Sequence, residues 1–373
     1  MRKINYTPAK SMLVGELPRG CRLCITGEKL VLFVSGLCPR DCFYCTLSEK
    51  RKNTDKSWAN EQLIESDNDL LKEARLCQSR GAGITGGEPL LPANIGKTLH
   101  YIELLKKTFG KEFHIHLYTS GIGMNESVLQ QLQTAGLDEI RFHLDIDNEK
   151  NWNIMPYGKL SQTSWEILLP ALKHKFDVGV EIPCIPGTLK KLERLAQFLD
   201  SQNVKFLNLN ELELSEIQYD EMQKRGFELA EGGTRQVKGS RELAQKILLF
   251  SSKNCKNLSV HFCPSMLKDV YQYTNRIKRR AESIKKPFEK VTKEGLLQKG
   301  AIFAKIKELD FLPKNELFFR HELDRVETSV KNAELAAKHG FSAAKILELP
   351  TADGFDIELE PIESRSRKQP KSR

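Results

Sequence analysis

Short β-branched or apolar runs alternate along the chain with longer segments whose apolar residues recur at helical spacing. Residues 29–35 make the first such run, ending at Gly36, and residues 60–79 then place Leu63, Ile64, Leu70, Leu71, Ala74 and Leu76 about a helical turn apart. The alternation continues with strands predicted at 81–85, 113–119, 138–145, 177–182 and 204–209, and helices at 95–109, 126–135, 161–175 and 188–201. Six strands separated by helical segments predict right-handed crossovers and a parallel sheet with its helices outside. Six units are too few to close an eight-stranded barrel, so the expected α/β architecture is an open, partial (β/α)6 TIM barrel over residues 29–212.

The flanks follow a different pattern. Residues 1–28 read as a polar lead-in with Pro8, Pro18, Gly20 and a Cys21-x2-Cys24 pair. The 213–310 segment reads as an extension: a polar surface loop with one helical turn at 213–241, a short helix, a strand at 258–262, a basic helix at 265–285 and a hairpin around Lys293-Glu294-Gly295. A helix at 329–339 with strands near 341–347 and 355–360 predicts a small α+β module over 311–362, followed by a basic tail at 363–373.

Composition narrows the class. With 40% hydrophobic residues and no apolar run near the roughly 20 residues that span a bilayer, a soluble globular protein is expected. The first ten residues carry charges but no apolar core, so no secretory signal is expected. Nine cysteines, partly in metal-ligand spacing, point to a reducing compartment, the cytoplasm. The net charge of +9 is concentrated: residues 276–290 hold seven Lys/Arg and two Glu (+5), and 363–373 hold five and one (+4). Such segments suit the phosphates of tRNA or another RNA; the alternative is a solvated helix face and a disordered tail.

In parallel αβ folds the ligand sits at the carboxyl ends of the strands. Cys38, Gly86, Ser120, Asp145, Pro183 and Asn210 all fall there. The stretch Cys38-Pro39-Arg40-Asp41-Cys42-Phe43-Tyr44-Cys45 supplies three thiols at C-x3-C-x2-C spacing. A disulfide uses thiols in pairs and structural zinc uses four ligands, whereas three thiolates leave one corner of a cubane cluster open. A zinc site or a chance grouping is the alternative.

Together with Thr85-Gly86-Gly87-Glu88-Pro89 and Tyr118-Thr119-Ser120-Gly121, in that order, this loop resembles the radical S-adenosylmethionine (SAM) enzymes. The resemblance implies a [4Fe-4S] cluster on Cys38, Cys42 and Cys45, with SAM chelating the fourth iron. It implies Tyr44 against the adenine, Gly86, Gly87 and Glu88 at the methionine amino group, and Thr119 and Ser120 at the ribose, Ser120 standing where the family often has Asn. It also implies a one-electron donor such as ferredoxin or flavodoxin, and reductive cleavage of SAM to a 5′-deoxyadenosyl radical that abstracts a hydrogen atom. Residues 19–24, 206–213, 260–263 and the hairpin after Pro287 resemble archaeal proteins described as related to pyruvate formate-lyase activating enzyme. The charge distribution makes RNA the expected substrate. Activation of a partner protein at a glycine, or a small-molecule biosynthetic step, is the enzymatic alternative; a zinc-stabilised RNA-binding protein is the non-enzymatic one.

Other candidates remain. Cys21, Cys24, Cys255 and Cys263 are expected either to hold zinc or an auxiliary Fe–S cluster, with His261 able to replace one of them, or to be buried apolar thiols like Cys77 and Cys184. His114, His116 and Tyr118 share one face of the third strand, and buried, satisfied histidines are expected. Arg141, His143 and Asp145 share a face of the fourth strand, Glu181 and Pro183 close the fifth, and Asn208 and Asn210 lie on the sixth. These are candidates for holding SAM or substrate, with several expected on the outer face in salt bridges to helices.

Overall fold

The computed structural model describes all residues except 8–9, 145, 147–163, 216 and 364–373. It divides into two compact units, Met1–Arg75 with Ser79–Tyr273, and Leu76–Gln78 with Thr274–Arg373. The expected basic tail and Asp145 fall outside the described residues. Among the described residues no helix is long and apolar enough to cross a membrane.

In the first unit the order is β1 (Ile4–Tyr6), β2 (Met12–Val14), α1 (Arg19–Ile25), β3 (Lys29–Phe33), β4 (Ser57–Ala59), β5 (Gln62–Ile64), α2 (Asp67–Leu76), β6 (Gly81–Thr85), α3 (Ile95–Phe109), β7 (His114–Thr119), α4 (Glu126–Ala135) and β8 (Glu139–Phe142). A 3-10 helix (Ser164–Lys173) leads to β9 (Asp177–Cys184), then α5 (Leu189–Ser201), β10 (Phe206–Glu211), α6 (Tyr219–Lys224), α7 (Ser240–Asn254), β11 (Ser259–Cys263) and a π-helix at Leu267–Tyr273. The sheet runs β1-β2-β11-β10-β9-β8-β7-β6-β3-β4-β5. From β3 to β11 every pair is parallel, which gives seven parallel strands rather than six.

The seventh strand is β11, whose Ser259 to Cys263 register with Phe206 to Asn210. Pattern alone assigned it to the extension because almost fifty residues separate it from β10 and break the regular βα period. The polar lead-in also does more than lead in. β2 pairs antiparallel with β11 and β1 with β2, while β4 and β5 continue the opposite side from β3. The terminal parallel strands therefore have partners instead of open ladders.

Strand alternation sorts side chains into two environments. Ile115, Leu117, Ile140, Phe142, Val178, Val180, Leu207, Leu209, Val260 and Phe262 belong to the main apolar core, together with Ile102 and Leu105 of α3, Leu129 and Leu132 of α4, and Leu192 and Leu195 of α5. The alternate positions face the concave interior and carry its polar side chains, among them His116, Arg141, Glu181, Asn208 and His261, beside Phe206 and glycines.

The second unit holds α8 (Thr274–Ile284), β12 (Lys290–Val291), β13 (Leu297–Ile302), β14 (Phe318–Arg320), β15 (Arg325–Thr328), α9 (Val330–Lys338), β16 (Ala343–Glu348) and β17 (Asp356–Pro361). Its sheet runs β14-β15-β13-β16-β17, with β12 on β13. The hairpin and α+β module read from the sequence are thus one sheet, braced by buried Lys299 between Glu289 (2.9 Å), Glu327 (3.0 Å) and Glu348 (2.6 Å). The expected basic helix is a π-helix followed by α8, with the unit boundary between them. Arg276 and Arg280 are buried, Arg280 donating to the Pro350 carbonyl, and Lys278 and Arg279 are half-buried. Two of the seven cations counted at 276–290 are thus withdrawn from the phosphate-facing surface expected from charge alone.

Candidate functional site

The three-cysteine loop follows β3 directly, and its entry is set by glycine. Gly87 N–H donates to Ser35 O (2.7 Å) and Glu88 N–H to Leu37 O (2.9 Å), so the chain after β6 stays paired to the chain entering the cysteine loop. A Cβ on Gly87 would stand 2.2 Å from Leu37 O and 2.9 Å from Cys38 Cβ, and Gly86 adopts φ +145° with Ser35 O 2.5 Å from an added Cβ. Only glycine fits either position. Gly87→Ala is expected to cost about 1–3 kcal/mol through overpacking and to displace Cys38. A lower urea midpoint, with faster loss of iron from the reconstituted protein, checks this.

Glu88 ties the next two strand ends together. Its carboxylate is buried and accepts from Thr119 Oγ1 (2.6 Å), Ser120 N (2.7 Å), Ser120 Oγ (2.5 Å) and Leu90 N (3.1 Å). Burial pushes the Glu88 carboxyl up, against the pull of these hydrogen bonds. The hydroxyl protons of Thr119 and Ser120 are committed to Glu88, so both residues meet a ligand mainly with lone pairs.

The cysteine loop is also fastened to the fourth strand. Arg40 Nη1 donates to His143 O (2.9 Å), and Tyr44 Oη lies 3.2 Å from His143 Nε2. His143 Nδ1 is 3.1 Å from Glu181 O, an acceptor only, which puts the ring proton on Nδ1 and makes Nε2 the acceptor of the Tyr44 hydroxyl. Burial pushes His143 down to about 4, so the neutral ring holds this arrangement.

Beside Tyr44, Phe43 enters a separate apolar cluster with Ile185, Leu212, Leu214, Met222, Val237 and half-buried Phe227. Phe227 stacks on it at 5.6 Å and the Arg225 guanidinium lies 4.3 Å above its ring. Ser215 Oγ donates to Cys45 O (3.2 Å). The 213–241 segment, expected to be a surface loop, is therefore a packed buttress for the cysteine loop. Its signal was the scattered apolar set Leu212, Leu214, Met222, Phe227 and Val237, which follows neither helical nor strand period.

Inside the barrel a polar network runs across four strands. Arg141 donates to Glu139 (2.5 Å), Glu181 (2.6 Å) and Tyr118 Oη (3.2 Å). Glu181 also accepts from Tyr118 Oη (3.3 Å), Asn208 (3.0 Å) and Asn210 (3.0 Å). These residues were expected in part on the outer face; instead their ion pairs join strand to strand within the interior. Burial opposes the Arg141 charge, but Cys21, Glu139, Tyr118 and Glu181 hold its pKa well above the usual value. At the amino ends of the strands Lys29 Nζ lies 2.8 Å from His114 Nδ1 and donates to His114 O (2.9 Å).

This interior carries a pH signature. Burial pushes His114 down to about 2, His261 to about 4 and His116 well below its ordinary 6.5, and Lys29 down to about 7. The unfolded chain binds the missing protons first, so stability falls as pH drops from 10.5 toward 7 through Lys29, and from 6.5 toward 4 through these histidines and His143. Urea midpoints measured from pH 8 to 5 are expected to decline, most steeply below 6.5; a flat profile contradicts the buried neutral rings.

Three adjoining cavities occupy the mouth and interior. One of about 560 Å³ is lined by Cys38, Cys42, Cys45, Gly86, Gly87, Glu88, Thr119 and Ser120, so the three motifs of the resemblance line one space, Tyr44 included, while Arg141, Glu181, Pro183 and Asn208 lie outside it. A second, of about 840 Å³, shares Tyr44, His143 and Asn210 with it and opens past Leu214, Ile217, Tyr219 and Leu229. A third, of about 190 Å³, lies deeper and shares Tyr118 and Asn210 with the first. Three thiols beside a glycine cradle fit a thiolate-bound cluster with a small ligand at its open side. As placed, no three His, Cys, Asp or Glu side chains among the described residues surround a single-ion site. Cys255 does not join Cys21, Cys24 and Cys263 as expected: it ends α7 in the main core, 3.8 Å from Ala196 O, while the other three line the deep cavity. Cys77 and Cys184 are buried thiols, as expected.

Comparison with known proteins matches residues 32–199 to the radical SAM superfamily. A Methanocaldococcus jannaschii protein, provisionally named a glycyl-radical enzyme activating enzyme, is 39% identical over 372 residues, covering 95% of each chain. Among solved structures, Streptococcus suis SuiB bound to S-adenosylmethionine aligns with TM-score 0.44 and 14% identity over 66% of this chain and 52% of that one. Coproporphyrinogen III oxidase (HemN) from Escherichia coli, a radical SAM enzyme, aligns with TM-score 0.38 and 10% identity over 64% of this chain and 56% of that one.

Proposed function

Since the chain belongs to the radical SAM superfamily, and is an enzyme that uses a [4Fe-4S] cluster and S-adenosylmethionine, we propose that it activates a partner protein by taking the α-hydrogen from one of its glycines. The observation that carries this reading is the 39% identity, end to end, with a relative named for that activity. When bound, the cluster and SAM would supply the hydrogen-abstracting radical, with a one-electron donor of the ferredoxin or flavodoxin type providing the electron.

The chain's own residues position and shield. Cys38, Cys42 and Cys45 hold the cluster, Gly86 and Gly87 give the ligand close access to backbone, and Glu88 fixes the Thr119–Ser120 strand end. Tyr44, held by His143, stands where the cluster cavity meets the larger outer one. That outer cavity suits a polypeptide loop better than a polyanion. Its charges are already paired, Glu213 with Lys268 (3.0 Å) and Arg235 (3.2 Å), and Arg235 with Asp269 (2.5 Å), and apolar Leu214, Ile217, Tyr219 and Leu229 complete the wall. RNA, expected from charge alone, loses ground to this reading, as does cleavage of a small metabolite in so open a space.

The test is deuterium transfer. Cells of the source organism grown on α-dideuterated glycine are extracted and separated into protein, RNA and small molecules. The protein fraction, mixed with reduced enzyme and SAM, is expected to yield deuterated 5′-deoxyadenosine and a glycyl-type radical signal in electron paramagnetic resonance. Label arriving only from the RNA or metabolite fraction rejects the proposal.

A further inference from the structure

We propose that the innermost of the three cavities is a second, thiolate-held metal site, separate from the three-cysteine loop, with Cys21, Cys24 and Cys263 as sulfur ligands and His261 Nδ1 as the nitrogen ligand. The site is built by the helix that precedes the first parallel strand and by the last parallel strand. Helix α1 carries Cys21 and Cys24 three residues apart, hence on one face. Strand β11 carries His261 and Cys263 two residues apart, hence on one side of the sheet. All four line the same cavity of about 190 Å³. Gly20 brings α1 close enough: a Cβ there would lie 2.5 Å from both Arg141 Nη2 and His116 Nδ1.

The tautomer of His261 is settled by its neighbour. Ser11 Oγ lies 2.9 Å from Phe262 O, which only accepts, so the single hydroxyl proton points there. The 2.6 Å contact between Ser11 Oγ and His261 Nε2 then needs its proton on Nε2. The lone pair is left on Nδ1, which is buried and has no hydrogen-bond partner. A ring held by its N–H from behind, with the other nitrogen bare, is the arrangement of a metal-ligating histidine.

The thiols are prepared in the same sense. Asn208 Nδ2 donates to Cys21 Sγ (3.1 Å), and Gln272 Nε2 lies 3.9 Å from Cys263 Sγ. Amide donors aimed at sulfur stabilise a thiolate. Left as an apolar thiol pocket, the site would bury the Nδ1 lone pair unsatisfied, an arrangement native interiors rarely keep. Binding requires the cysteine side chains to rotate toward His261, since they do not converge as placed. Three sulfurs and one nitrogen suit zinc or an iron of an iron–sulfide cluster.

The measurement is zinc, iron and acid-labile sulfide per chain in full-length protein purified anaerobically. The expected result is metal beyond the four irons of one cubane: about one zinc, or extra iron with matching sulfide. Cys21→Ser with Cys24→Ser is expected to remove only the excess. Replacing Cys38, Cys42 and Cys45 together with Ala is expected to remove only the four irons, which separates this site from the radical SAM cluster. Cys255→Ser changes neither. Should the double serine variant fail to fold, His261→Ala is expected to lower resistance to chelators by roughly tenfold or more, with His261→Cys restoring it. Wild-type protein with four irons and no zinc, or an excess that survives loss of both α1 thiols or is indifferent to His261→Ala, overturns the proposal.

Discussion

Cys42→Ala is expected to abolish SAM cleavage and the four-iron cluster while leaving the fold intact. The loop carrying Cys42 is held by contacts that do not involve its thiol: Phe43 in its apolar cluster, Arg40 on the His143 carbonyl, Ser215 on the Cys45 carbonyl. Losing one of three thiolates therefore removes a ligand without releasing the loop. The loss should exceed the roughly 10–100-fold typical of changes to groups behind a ligand, so 5′-deoxyadenosine formation falls to background. Stability should stay within about 0.5 kcal/mol of wild type, as for a substitution away from the core. Iron content, 5′-deoxyadenosine yield and a urea curve on one preparation check all three; a variant that keeps its cluster and cleaves SAM contradicts the ligand assignment.

The second large effect is on stability. Arg141 is 2% exposed and is shared by Glu139, Glu181 and Tyr118. Arg141→Met leaves two buried carboxylates without their cation, a change that costs about 3–5 kcal/mol. Removing one of those charges as well, by adding Glu181→Gln, is expected to recover part of the loss, because residues in one network do not add. Urea unfolding of the two single variants and the double closes the cycle. A cost below about 1 kcal/mol for Arg141→Met, or strict additivity with Glu181→Gln, contradicts a coupled interior network.

These two predictions draw on unequal legibility. The loop cysteines, Gly86-Gly87-Glu88 and Thr119-Ser120 were readable because their spacing is local and each sits at the end of a strand with clean apolar alternation. Arg141, Glu181 and Asn208 were visible as same-face polar residues, but strand period alone does not say which face is concave. Only the partners, Glu139 with Arg141 and Asn208 with Glu181, fix that. β11 was recognised as a strand and missed as a barrel member, since α6, α7 and the buttress for Phe43 intervene and dilute the βα rhythm. The N-terminal segment looked like linker because β1 and β2 are three residues each, too short to show a period. RNA, expected from charge, is left without support for a different reason. Net charge counts residues, whereas phosphate binding needs cations left exposed, and Arg276 and Arg280 are buried.

The central claim is that the cluster on Cys38, Cys42 and Cys45 keeps one iron open for SAM. Electron–nuclear double resonance on the reduced wild-type cluster with SAM labelled by ¹⁵N at the amino group tests it most directly. The account predicts a ¹⁵N coupling to the cluster that appears only with SAM and is absent in Cys42→Ala. A fully reconstituted, reduced cluster showing no such coupling at saturating SAM would contradict it.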